Sequence, residues 1–194
     1  MLSITNQGIL ARIPGRFLAT PSLVASGDAF LCFATVRKRL FVGEERMARC
    51  YIGSWRCGDD LNTWTEQSVQ CMGETDDDGY LYAQPMASAL KGNRIVLTTQ
   101  RIAEPGDQYP SRFNPRTGGL APTEPVWMIS DDQGLTWTRP RVPSFSDSSK
   151  IDVNCNLLEL PINDWFWPLE RWKAWDDPSQ LRVPRFGPRS SDLG

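Results

Sequence analysis

One eight-residue stretch, Ser130-Asp131-Asp132-Gln133-Gly134-Leu135-Thr136-Trp137, constrains the chain more than any other. The four residues before it, Val126-Trp127-Met128-Ile129, favour a strand, and Thr136-Trp137 restart an extended run. Between them, Asp132 supplies a short acceptor that can bond its own backbone, and Gly134 supplies a residue able to take positive φ. The stretch therefore reads as a tight connection between two strands, with Asp132 anchoring the turn and Trp137 plugging a core.

Repetition extends this reading along the chain. Phe30–Arg37 (FLCFATVR), Arg94–Arg101 (RIVLTTQR) and Asp164–Arg171 (DWFWPLER) are eight-residue runs that end alike in arginine. Each follows a turn signal: Ser26-Gly27-Asp28, Gly92-Asn93 or Pro161-Ile162-Asn163. Sixteen residues before the arginines stand Pro21, Pro85 and Cys155. Cys57–Trp64 is a degenerate copy of the turn, keeping Asp59, Thr63 and Trp64 but with Leu61 in place of glycine. A third copy starts at Ser190-Ser191-Asp192-Leu193-Gly194, where the sequence given stops. No segment holds a helical apolar stripe for three turns, so the expectation is an all-β chain of repeated four-stranded units.

Ser-x-Asp-x-Gly-x-Thr-Trp resembles the Asp-box of the sialidase-like β-propellers, matched here by Ser130, Asp132, Gly134, Thr136 and Trp137. The resemblance runs from about Pro21 to Gly194 and implies a partial six-bladed propeller. Residues 1–194 would form a single partial domain, with blade 1 at about 15–70, blade 2 at about 80–143 and an incomplete blade 3 at about 150–194. Three blades cannot close a ring. The expectation is therefore a fragment of a protein about twice as long, or a homodimer that closes the open edges. In the family the box lies on the outer rim and does no chemistry, so Asp59, Trp64 and Asp192 are assigned structural roles along with the full copy.

Several function classes are excluded by composition. Histidine is absent, which removes Ser-His and Cys-His catalysis and histidine metal sites. The five cysteines, Cys32, Cys50, Cys57, Cys71 and Cys155, have no Cys-x-x-Cys spacing and read as buried thiols. Neither metal nor cofactor is expected. A net charge of −2 argues against a nucleic-acid binder, and no apolar run is long enough for a membrane helix. The first residues lack a secretory signal, giving a cytoplasmic expectation.

Chemistry must then rest on carboxylates, arginines, tyrosines or thiols. The shared spacing of Arg37, Arg101 and Arg171 would present a basic arc suited to the carboxylate of an acidic sugar. The alternative is that each arginine caps its strand by pairing with a neighbouring acid. Sialidases hold their substrate carboxylate with three arginines, though some come from blades beyond this sequence. Their first-blade arginine lies in an Arg-Ile-Pro motif. Arg12-Ile13-Pro14 reproduces it literally, whereas the repeat register would put Ala19 there. The resemblance also implies an acid/base carboxylate, for which this chain offers Glu44 or Glu45 in place of an aspartate, and a tyrosine–glutamate pair from later blades.

Trp165–Pro178 (WFWPLERWKAWDDP) concentrates aromatic and charged residues of the kind that line sugar sites. Glu170 is a catalytic candidate here, with Arg171, Trp172 and Lys173 as substrate-binding candidates. Alternatively, its tryptophans fill a core and Asp176-Asp177-Pro178 makes a turn. The segment 101–123 is either a substrate lid carrying Tyr109, Arg112, Phe113 and Arg116 or a surface loop. Asp76-Asp77-Asp78 reads as a solvated turn. The expected function is a glycoside-hydrolase-like protein acting on an acidic sugar and inactive as this chain alone. A non-catalytic carbohydrate-binding or interaction propeller is the alternative.

Overall fold

A computed structural model describes residues 10–38, 50–58, 63–68, 80–103, 108–144, 150–161, 164–180 and 185–186. Glu44, Glu45, Asp59, Asp76-Asp77-Asp78 and Asp192 lie outside these residues. The described chain is β-structure joined by loops and one short 3-10 turn at Lys91–Asn93. No helix among the described residues is long and apolar enough to cross a membrane.

The first sheet is a four-stranded antiparallel meander in the order β1 (Arg16–Ser26), β2 (Ala29–Lys38), β3 (Cys50–Cys57), β4 (Trp64–Ser68). The second has three strands in sequence order, β5 (Tyr80–Ala89), β6 (Ile95–Ala103) and β7 (Thr123–Ser130). Beyond β7 the chain returns as one rung, where Trp127 and Arg141 exchange backbone hydrogen bonds at 3.0 and 2.9 Å. The remaining strands are short: β8 (Ile151–Asp152), β9 (Leu158–Glu159), β10 (Trp165–Phe166), β11 (Leu169–Arg171) and β12 (Arg185–Phe186). They form a sheet in the order β12-β11-β8 and a β9–β10 pair.

The middle sheet is buried on both faces, which explains why β6 and β7 read as nearly unbroken apolar runs. Strand alternation sends Ile95, Leu97, Val126 and Met128 to one face, where they meet Leu31, Phe33 and Ile52 of the first sheet. It sends Val96 and Trp127 to the other, against Ile151, Val153, Leu157, Trp167 and Leu169. The three layers are thus joined by two apolar cores.

The connection after β7 forms as its residues predict. The Ser130 hydroxyl donates to Asp132 Oδ1 (2.8 Å) and accepts from the Gly134 N–H (2.7 Å). Thr136 donates its N–H to Asp132 Oδ1 at 2.8 Å and its hydroxyl to Oδ2 at 2.5 Å. Desolvation, the largest single influence, pushes the Asp132 carboxyl up, but these bonds together, with those from Ser130 and Leu135, outweigh it and hold the pKa down to about 2. Gly134 sits at φ +85°, and a Cβ there would come within 2.3 Å of Leu31 Cδ2. Trp137 closes the core edge-on to Phe33, with centroids 5.7 Å apart. In the degenerate copy, Trp64 packs on Ala34, Val36 and Trp55 at the opposite face of the first sheet.

The proline repeat marks a shared backbone device. Strands β1 and β5 both break register, between Ala19 and Ser22 and between Ala83 and Met86. In each, the residue before proline takes positive φ: Thr20 at +49° and Gln84 at +57°. The shared spacing of the arginines does not survive in the ladders. Ala19 pairs with Thr35, but its counterpart Ala83 pairs with Gln100. Arg37 therefore lies two residues past the partner of Ala19, and Arg101 only one past the partner of Ala83. A one-residue offset reverses the face a side chain occupies. The cause is the longer β5–β6 connection through the Lys91–Asn93 turn.

Candidate functional site

At the bulge of β5 the chain concentrates polar groups that an apolar sheet would otherwise exclude. Arg112 reaches in from the loop after β6 and places Nη2 2.5 Å from Asp152 Oδ1 and 3.0 Å from Gln84 Oε1. Gln100, with its amide turned to satisfy both partners, donates to Asp152 Oδ1 and accepts from Arg112 Nη2, each at 3.0 Å. The side chains of Arg112 and Asp152 are 23% and 9% exposed, so the pair is largely withdrawn from water.

Asp152 stands directly opposite Glu170 on the β8–β11 ladder. Opposed residues on antiparallel strands share a face, with Cβ atoms about 4.5–5.5 Å apart. Burial pushes the Asp152 carboxyl up, the Arg112 charge and hydrogen bond pull it down, and the Glu170 charge pushes it up again; the net shift is upward. Burial likewise lowers the Arg112 guanidinium, more than Asp152 and the nearby Cys50 restore it. Cys50 is itself driven to about 11 by burial, against the pull of Arg37 and Arg112. That thiol is not an activated nucleophile.

Backbone docking sets the Arg112 loop in place. Residues 108–123 pack onto the chain that follows β11, so this segment is an ordered strap. Leu120 bridges Ala174 in parallel, and its N–H bonds the Lys173 carbonyl at 3.1 Å. Asn114 Nδ2 and the Thr117 hydroxyl both donate to the Trp175 carbonyl, at 2.9 and 2.5 Å. Gly119 allows this approach: a Cβ there would stand 2.1 Å from the Ala174 carbonyl oxygen. Phe113 packs on Trp172 at 5.0 Å while Arg112 lies over Phe113, also at 5.0 Å. Beside the strap, Tyr109, Leu120, Pro122, Lys150, Ala174, Trp175, Asp176 and Asp177 line a cleft of about 400 Å³.

The residues singled out from sequence are dispersed. Glu170 and Trp172 lie at this site, on and just beyond β11. Arg171 is half-buried opposite Ile151. Lys173 donates to the Ser179 carbonyl at 2.5 Å. Arg101 pairs with Glu124 at 2.7 Å and lies over Tyr80, so here the strand-capping alternative describes the geometry. Arg37 is exposed over Phe17 at 4.8 Å. Arg12 is exposed, while its neighbours Leu10, Ala11 and Ile13 pack on the first sheet. Arg37, Arg101 and Arg171 thus have separate local partners. Sequence reasoning missed Asp152, Gln84 and Gln100. The available signals were an acid between Ile151 and Val153 and a polar Thr98-Thr99-Gln100 run inside an apolar strand. Among the described residues, no group of three or more histidine, cysteine, aspartate or glutamate side chains could hold a metal ion.

Successive sheets pack face to face through apolar cores, with the Asp152 network and the aromatic cleft beside them. The chain has an all-β, propeller-like fold. A protein of unknown function from Dyadobacter fermentans DSM 18053 matches with a TM-score of 0.69 at 14% identity, over 96% of this chain and 54% of its own. Zg3597, a family 117 glycoside hydrolase from Zobellia galactanivorans, matches with 0.61 at 15% identity, over 93% and 54%. A mutant Trypanosoma rangeli sialidase displaying trans-sialidase activity matches with 0.51 at 12% identity, over 87% and 30%. The chain spans about half the length of the first two and under a third of the sialidase. No protein-family model and no curated protein matches the sequence.

Proposed function

We propose that this chain carries part of the active centre of a glycoside hydrolase, with Asp152 and Glu170 as its carboxylates. The observation that supports the reading is their opposed rung beside the Arg112–Gln84–Gln100 network. Two carboxyl groups on one face are the pair that glycoside hydrolysis uses, one as proton donor and the other as nucleophile or base. Asp152, raised by burial, would protonate the departing glycosidic oxygen. Glu170 would face the positive charge that develops on the sugar carbon, or the water that attacks it. Arg112 and Gln100 would hold Asp152 in one orientation as its charge changes.

The finer reading is a sialidase-like propeller of six blades, of which this chain supplies nearly three, acting on an acidic sugar. It is supported by the Ser130–Trp137 turn and by the likeness in fold to a sialidase. The open sheet edges would be covered by further chain or by a second copy, and sedimentation of the folded chain as a stable monomer would count against the second copy. This chain alone would be inactive, its centre completed only in the full assembly.

The test is turnover of a panel of fluorogenic glycosides, a sialoside among them, by the full-length protein. Release of the fluorophore that disappears in Asp152→Asn supports the proposal. Sugar binding without turnover, undiminished in Glu170→Gln and Glu44→Gln, would favour a carbohydrate-binding propeller.

A further inference from the structure

We infer that the cleft between the strap and the chain after β11 is a binding site for a pyranose ring, distinct from the carboxylate pair in what it does. Its apolar walls are Leu120, Pro122 and Ala174, and its two aromatic rings, Tyr109 and Trp175, meet edge to face at 5.4 Å. About 400 Å³ lies in the lower part of the range of small-molecule sites. An aromatic face beside an apolar wall accepts the C–H face of a sugar and gains little from a purely polar ligand.

Polar groups complete the lining. Asp176 and Asp177 contribute acceptor oxygens to the lining, and Lys150 an ammonium donor. Asp177 already accepts from the Ser179 N–H at 2.9 Å, which fixes the orientation of its carboxylate. The aromatic wall is fixed too. The Trp175 carbonyl is held by Asn114 and Thr117, and the Asp177 N–H closes a turn onto the Ala174 carbonyl at 3.1 Å. A site whose walls are set before the ligand arrives loses less freedom on binding.

Position links this cleft to the acid pair. Lys150 precedes Asp152 by two residues, roughly 7 Å along an extended chain. The cleft and the acid pair thus share the chain segment that enters β8. The cleft holds its ring whether or not Asp152 and Glu170 cleave a bond.

The test is saturation-transfer NMR on the full-length protein with three probes: methyl β-galactopyranoside, methyl β-glucopyranoside and N-acetylneuraminic acid. The expected result is transfer to ring protons of at least one probe, reduced at least about fivefold in Trp175→Ala and in Tyr109→Ala. Tyr109→Ala removes a half-exposed ring and covers the case in which Trp175→Ala fails to fold, as monitored by circular dichroism. Response to N-acetylneuraminic acid alone would specify an acidic sugar, and response to the methyl glycosides a neutral one. No transfer with any probe, or transfer unchanged in the folded aromatic variants, overturns the inference. Binding that passes this test in a protein without turnover would defeat the hydrolase proposal and leave the cleft standing.

Discussion

Replacing Arg112 by alanine isolates the interaction on which the candidate site depends. The side chain of Asp152 is only 9% exposed and, among the described residues, would keep the Gln100 amide as its side-chain donor. Removing one partner of a buried ion pair leaves an uncompensated charge and costs about 3–5 kcal/mol. A residual 23% exposure of Arg112 places this pair at the lower end of that range, about 3 kcal/mol near neutral pH. The pH dependence has a definite sign. The Asp152 carboxyl is raised in the folded state and would be raised further without Arg112, so the folded state holds its proton where the unfolded chain has released it. Stability therefore falls as pH rises through the window above the ordinary value of 3.8, and the variant loses more than the native protein across that window. Urea unfolding followed by tryptophan fluorescence should show a large penalty near neutral pH and a smaller one in mild acid. A double change, Arg112→Met with Asp152→Leu, should recover most of the loss. A penalty below about 1 kcal/mol that does not vary with pH would mean the pair is screened like a surface ion pair, and the argument for a buried acid would fail.

Three further outcomes follow from local geometry. Gly134→Ala, which combines a positive φ with a Cβ 2.3 Å from Leu31, should destabilise by about 2–4 kcal/mol in the same assay. Asp132 is depressed to about 2, so its contribution is fully present above the ordinary 3.8 and is lost as pH falls towards about 2; Asp132→Ala should flatten the acid limb of the stability profile. Gly119→Ala should lift the strap from Ala174 and Trp175, seen as faster hydrogen exchange at the Leu120 amide with the two sheet cores still protected.

How much of this was legible in the sequence depended on the range of the interactions. The Ser130–Trp137 turn closes within eight residues, so its composition was enough to place Ser130, Asp132, Gly134 and Thr136. Strands β6 and β7 were readable because burial on both faces leaves an apolar run. Spacing alone did not show the register around the arginines: the Lys91–Asn93 turn shifts the β5–β6 ladder by one rung, and Arg101 pairs with Glu124. The site itself was the least legible part. Arg112 meets a residue 40 positions away, and Asp152 counts as a buried acid only once β11 and the strap cover it. The tryptophan-rich segment split between its two readings, since Trp167 is fully buried in a core while Trp175 lines the cleft.

The most direct test of the central claim is kcat/KM for fluorogenic glycoside hydrolysis by the full-length protein, compared with its folded Asp152→Asn and Glu170→Gln variants. A pair of carboxyl groups that both act on the glycosidic bond predicts that each change lowers kcat/KM by about 10²–10⁴-fold while circular dichroism is unaltered. Turnover that survives both substitutions within about threefold would place the chemistry elsewhere and contradict the account.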